Sequence, residues 1–268
     1  MRNLQQIGSS LDITTDREII TYTVESTLNH IEEAMKFLQD AATLQLFKPW
    51  ELTDILPRLK YDLARVPDQV RAIELLHQAA YRTGLGNSIY CPKHQVGKHS
   101  SETLQHYYAS NFATNRAAVV GVGIDHKMLT SFAKGLPLES SNSNDSASKY
   151  HGPSEIRYDK SGSMAHVAIA TEGGSLKNNK EALAFAVLQQ SASSGSTIKR
   201  GNNNGALGKV ISRALDGKSF CFRSLNASYS DSGLFGFVLS ANGSDIGKVC
   251  IINSMIILLY NHLYLHKI

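Results

Sequence analysis

No two cysteines in this chain are spaced to staple a fold or to hold a metal. Cys91, Cys221 and Cys250 are far apart, odd in number and form no Cys-x-x-Cys. That pattern argues against a disulfide framework and for a reducing compartment. His-Glu-x-x-His and its inverse, His-x-x-Glu-His, are both missing, and so is a Gly-x-Ser-x-Gly nucleophile elbow. Lys and Arg are scattered rather than clustered and interleaved with aromatics, so a net charge of +4 does not indicate nucleic acid. The opening MRNLQQIGSSLDITTD has neither an apolar signal core nor an Arg/Ser-rich presequence. It looks like the interior of a folded domain.

What is present is an ordinary globular composition, 42% hydrophobic and 19% charged over 268 residues. That is enough chain for one large or two small domains. Asn3 to Ile7 form the last turns of a helix, with Gly8 placed to end it. Leu11 to Thr15 and the β-branched run Ile19 to Val24, joined at the polar corner Asp16-Arg17-Glu18, predict an antiparallel hairpin. Leu28, Ile31, Met35 and Leu38 share one helical face, and Leu52, Ile55, Leu56 and Leu59 share another. Pro67 separates the second of these helices from a third that carries Val70, Ile73, Leu76 and Ala80. Ser100 and Ser101 are placed to cap a helix running to about Asn111. Ala117 to Val122 predicts a buried strand, followed by a helix from about His126 to Leu136.

Composition changes at Glu139 to Ser148, where Ser and Asn leave no apolar group able to join a core. Order then restarts. Ile156 to Tyr158 and Met164 to Ala170 predict strands, Ala182 to Gln190 a helix, and Ser191 to Gly205 a polar loop. A helix around Val210 to Leu215 and strands at Phe220 to Tyr229 and Leu234 to Ser240 complete the pattern. Strands and helices segregate rather than alternate as βαβ units, which favours two α+β domains joined by the serine-rich segment.

The candidate sites are all near misses. Gly121-Val-Gly123 lacks the third glycine of a dinucleotide loop, because His126 stands there. Asn203 to Val210 lacks the first glycine and the Ser/Thr of a phosphate loop. His30-Ile-Glu-Glu33 supplies half of an inverted zinc motif and then puts Ala34 where the second histidine belongs. A catalytic zinc needs at least three protein ligands. Cys91 with His94, and His262 with His266, each offer two. Asp231, among the hydroxyls of Asn226 to Ser232, reads as a turn residue. No catalytic, cofactor-binding or metal-binding residue is assigned.

An ordered series of longer segments carries more. Leu76-His-Gln-Ala-Ala-Tyr-Arg-Thr-Gly-Leu-Gly-Asn-Ser-Ile-Tyr-Cys-Pro92 is followed by Leu104 to Arg116, Val119 to His126, Tyr150-His-Gly152 and Lys199-Arg-Gly201. From residue 1 to about 243 this series resembles the pitrilysin-type (M16) metallopeptidase family, which includes the mitochondrial processing peptidase subunits and the core proteins of respiratory complex III. The resemblance implies an α+β fold of two related domains. Each would be a mixed, largely antiparallel sheet with helices mainly on one side. Residues 1–137 would be the later part of the first domain, 138–150 a linker, 151–243 the start of the second, and 244–268 a divergent apolar tail. Both domains would be incomplete, leaving a sheet edge and an apolar face uncovered.

The family's third metal ligand, a glutamate, would fall in Arg58 to Arg65, where Asp62 is the only acid. The glycine-rich presequence loop of processing-peptidase α subunits would fall near Ser193 to Gly208, which here contains Lys199-Arg-Gly-Asn-Asn-Asn204. These departures imply a catalytically inactive, structural core subunit of ubiquinol–cytochrome c reductase. It would sit on the matrix side of the mitochondrial inner membrane, without a cofactor. Its partners would be core protein 1, cytochrome b, cytochrome c1 and the Rieske protein. The alternative is a non-catalytic α-type processing-peptidase subunit that binds presequences. Residues 249–268 tempt a membrane assignment by length, but Asn253, Asn261 and the paired histidines weigh against a span. In the matrix, the sequons at Asn226 and Asn242 would stay unglycosylated.

Overall fold

A computed structural model describes residues 2–140, 147–158, 162–192, 195–196, 206–216 and 218–247. Its elements in chain order are α1 (Arg2–Gln6), β1 (Ser10–Thr15), β2 (Ile20–Glu25), α2 (Ile31–Thr43), α3 (Pro49–Arg65), α4 (Asp68–Tyr81), α5 (Ser101–Asn111), α6 (His126–Gly135), β3 (Met164–Glu172), α7 (Asn179–Ala192), β4 (Gly195–Ser196), α8 (Ala206–Ala214), β5 (Cys221–Ser228) and β6 (Gly233–Asn242). They divide into two compact units: residues 1–64 with 89–146, and residues 65–88 with 147–268. Helix α4 therefore packs with strands β3 and β6, Met164–Glu172 and Gly233–Asn242, far later in the chain.

In the first unit, Gly8 takes φ +68° and stops α1. The Gly8 and Ser9 amides donate back to Gln5 and Leu4 carbonyls at 3.1 and 3.0 Å, a glycine-terminated helix end. β1 and β2 pair antiparallel from Ser10 opposite Glu25 to Thr15 opposite Ile20, and the Asp16 amide closes the corner on the Ile19 carbonyl at 2.9 Å. Helix α2 buries Ala34 and Met35, whereas Leu28 lies before its first turn and is exposed. Ser100 caps α5 by accepting from the Thr103 amide at 3.2 Å. The same helix holds the end of α2 and the loop that follows it, since Gln105 Nε2 donates to the Leu46 carbonyl at 3.2 Å and the Tyr108 hydroxyl to the Ala42 carbonyl at 2.8 Å.

Two sequence expectations differ from the structure. Ala117 to Val122 is neither a strand nor buried, and Val120 and Val122 are 86% and 97% exposed. β propensity reports a fit to a pleated, half-buried surface, and among the described residues no strand lies beside this run. Ile156 to Tyr158 is likewise exposed and outside any strand.

The second unit is built on a four-stranded antiparallel sheet of order β3-β6-β5-β4. β6 is central, with Ala170 opposite Gly236 on one side and Leu225 opposite Gly236 on the other. Side chains alternate across a strand, and β6 uses both faces. Phe235, Phe237, Leu239 and Ala241 point to one side, where they meet Phe222, Leu188 and Ala192 of α7 and Ile211 of α8. Leu234 points to the other, against Ala80 and Tyr81 of α4. Gly236 is obligatory at the centre, because a Cβ there would stand 2.0 Å from the Ile169 carbonyl oxygen.

Candidate functional site

The residues singled out in the sequence do not converge. His30 ends a short 3-10 turn at the mouth of α2, Glu33 is exposed, and Ala34 is fully buried in the helix packing. Asp62 is exposed and paired with Arg58 one turn earlier at 3.8 Å, a surface ion pair worth under about 1 kcal/mol. The Cys91 thiol lies 3.7 Å from the Pro92 carbonyl, and His94 is exposed. Among the described residues, no group of three or more His, Cys, Asp or Glu is placed to hold a metal ion.

The glycine loop before α6 is shaped by packing. A Cβ on Gly121 would come within 2.5 Å of the Ile124 side chain, and Gly123 takes φ +75°. The amino end of α6 is already served by Asp125, whose carboxylate accepts from the Lys127 amide at 3.2 Å. An anion would have to displace that carboxylate. The stretch Lys199 to Gly205 and the pair His262 and His266 lie outside the described residues.

Asp231 sits in the turn between β5 and β6, which is closed by the Tyr229 amide donating to the Ser232 carbonyl at 2.8 Å. One Asp231 carboxylate oxygen accepts from the Ser148 amide at 2.5 Å. The other is buried and has no hydrogen-bond partner among the described residues. The turn assignment holds, and what it holds in place is a polar seam that the sequence did not reveal.

That seam joins α4 to the β5–β6 turn. His77 is 2% exposed. Its Nδ1 lies 2.8 Å from the Ile73 carbonyl and its Nε2 2.7 Å from the Tyr229 hydroxyl. A carbonyl only accepts, so Nδ1 carries the proton and the Tyr229 hydroxyl donates to Nε2. The two rings meet edge to face at 5.8 Å. One helical turn on, the Tyr81 hydroxyl contacts the Ser232 hydroxyl at 3.1 Å, and the Tyr81 ring packs edge-on against both Tyr229 and Tyr150. Burial pushes the Tyr81 hydroxyl pKa up. The Ser232 hydrogen bond works against that, while Glu172, Asp231 and Tyr150 add to it. Tyr81 thus stays protonated at neutral pH.

A second polar contact crosses the same face. Gln69 Nε2 donates to the Ser240 hydroxyl at 3.1 Å, leaving that hydroxyl to donate to His166 Nδ1 at 2.7 Å. Serine on histidine is the geometry of an activated nucleophile. Ser240, however, is 3% exposed in the central strand of the sheet, so a substrate has no access to it. Both seams position a helix rather than perform chemistry. Their only sequence signal is local: His77 and Tyr81 lie four residues apart on the apolar face of α4.

Comparison with known proteins gives this geometry a context. Residues 1–93 match the family described as Insulinase (Peptidase family M16), and residues 98–256 match the Peptidase M16 inactive domain. The mouse protein named Cytochrome b-c1 complex subunit 2, mitochondrial, is 36% identical over 257 residues, covering 92% of this chain and 55% of its own length. The human protein of that name is 35% identical over 258 residues, with the same coverage. The Arabidopsis thaliana protein named Probable mitochondrial-processing peptidase subunit alpha-1, mitochondrial, is 25% identical over 244 residues, 88% of this chain and 48% of its own. A chain in the structure of complex III2 from Candida albicans with Inz-5 bound superposes with a TM-score of 0.68. It has 18% identity and covers 88% of this chain and 58% of its own length; at that identity the likeness shows the fold. The chain spans about half the length of the curated relatives it matches.

Proposed function

The chain belongs to peptidase family M16, and from that premise we propose that it acts as a non-catalytic core subunit of ubiquinol–cytochrome c reductase, respiratory complex III. The observation that carries this reading is the gap in similarity. Identity is 36% to a relative named as a subunit of the cytochrome b-c1 complex and 25% to one named as a processing-peptidase α subunit, over nearly the same stretch. The chemistry of the chain supports the same side. Asp62, the only acid where the family resemblance puts its third metal ligand, is paired with Arg58 at the surface. A catalytic zinc needs at least three protein ligands, and the stretch Arg58 to Arg65 carries no glutamate to serve as the third.

In this reading residues 1–137 carry the later part of a first peptidase-like domain, 138–150 the connection, 151–243 the start of a second, and 244–268 a divergent tail. The partners are core protein 1, cytochrome b, cytochrome c1 and the Rieske protein, on the matrix side of the inner membrane. Two observations support a peripheral position. The relatives are named as mitochondrial complex subunits, and no described helix is long and apolar enough to cross a membrane.

Depleting the protein in its own cells separates this function from the α-type alternative. Ubiquinol–cytochrome c reductase activity is expected to fall, with presequence cleavage in the matrix unchanged. Accumulated uncleaved precursors with intact reductase activity would overturn the proposal in favour of presequence binding.

A further inference from the structure

A substrate cannot reach the seam between α4 and the β5–β6 turn, but an electron can leave it without contact. Taking one electron from a phenol releases its proton, and away from water a base within hydrogen-bond reach must accept it. The Tyr108 hydroxyl donates to the Ala42 carbonyl and the Tyr81 hydroxyl meets the Ser232 hydroxyl; neither partner is a base. Tyr229 differs. Its hydroxyl donates to Nε2 of a neutral imidazole at 2.7 Å, and Nδ1 of that ring already donates to the Ile73 carbonyl. The proton has one short hydrogen bond to cross, and the imidazolium it forms has both N–H groups placed. A charge on His77, 2% exposed, is unfavourable unless something offsets it. Asp231 and Glu172 act electrostatically on Tyr81, one turn along α4. One Asp231 oxygen is buried without a hydrogen-bond partner among the described residues. The rings also form a file towards solvent. Tyr81 packs edge-on against Tyr229 at 6.5 Å and against the half-buried Tyr150 at 6.4 Å.

We propose that Tyr229 and His77 form a reversible radical-trapping pair whose co-reactant is a diffusible one-electron oxidant of the peroxyl-radical class. One electron passes from Tyr229 to the oxidant, which becomes a peroxide anion and takes a proton from water. The phenol O–H bond breaks, its proton forms an N–H bond at His77 Nε2, and a neutral phenoxyl radical remains beside the imidazolium. A one-electron reductant such as a thiolate then reduces the phenoxyl, and His77 returns the proton to the oxygen. Both side chains are restored. At 7% exposure the Tyr229 ring cannot meet a second radical and couple with it. Its phenoxyl therefore outlives one on an open residue such as Tyr158, 60% exposed. This chemistry does not depend on the proposed role in complex III.

Pulse radiolysis of the intact chain in azide solution, with the azide radical as the one-electron oxidant, tests the pair. The readouts are tyrosyl absorbance and high-field electron paramagnetic resonance. A long-lived tyrosyl fraction is expected, with the spectral shift of a phenoxyl oxygen that accepts a hydrogen bond. Tyr229→Phe should remove this fraction and Tyr158→Phe should leave it. His77→Gln keeps an oxygen that accepts the hydroxyl hydrogen but cannot take the proton, so formation should slow roughly 10²-fold or more. A fraction that persists in Tyr229→Phe, an unchanged rate in His77→Gln, or no long-lived fraction in the unaltered chain would each overturn the proposal. Where a variant fails to fold, the resonance of the unaltered chain decides. A long-lived radical whose oxygen accepts no hydrogen bond would overturn the pair equally.

Discussion

Phe237→Ala is expected to destabilise the strand-rich unit by about 3–5 kcal/mol, the largest single effect in this chain. Phe237 is 1% exposed and lies in the central strand. Its ring stacks on Phe222 at 5.1 Å and meets Phe235 edge-on at 5.8 Å. Truncation loses the transfer energy of the ring and leaves a void between the sheet and the α7–α8 layer. The close-packed surroundings cannot collapse into that void without moving strands. Total stabilities of domains are about 5–15 kcal/mol, so the variant gives up a large part of the margin. Thermal denaturation followed by near-ultraviolet circular dichroism should show the midpoint falling by roughly 10 °C. A change of only a degree or two would mean that this layer is not the core.

His77→Ala is expected to cost about 2–4 kcal/mol, and to act on one face of the same sheet. The substitution removes a buried ring that packs against Tyr229 and takes away the nitrogen to which the Tyr229 hydroxyl donates. The cost combines a cavity with a disrupted buried hydrogen bond. The contrast with Phe237→Ala is spatial. Hydrogen exchange should quicken along α4 and the Tyr229–Ser232 turn, with the β5–β6 amides still protected, because the core on the opposite face is untouched. His77→Gln, which keeps a polar group, should recover part of the loss. Uniform loss of protection across the sheet in His77→Ala would contradict the latch.

These two residues also mark what was legible in the sequence. Alternating and β-branched runs marked both hairpins, in which the structure sets Leu11 opposite Val24 and Ala227 opposite Leu234. Gly8 and Ser100 act at the helix ends where their chemistry places them. The failures share one physical cause. Strand propensity at Ala117 to Val122 and Ile156 to Tyr158 is local, whereas burial needs a neighbouring strand that propensity does not supply. The seam was hidden for the same reason, since His77 and Tyr229 are 152 residues apart in the chain. The loop Lys199 to Gly205, on which the sequence also separated the two functional readings, lies outside the described residues.

The proposed role in complex III is tested most directly by separating mitochondrial membranes on a native gel and probing for this chain. Migration with cytochrome b and cytochrome c1, at the size of the assembled reductase, is the predicted result. Recovery as a soluble matrix heterodimer, away from both cytochromes, would contradict it.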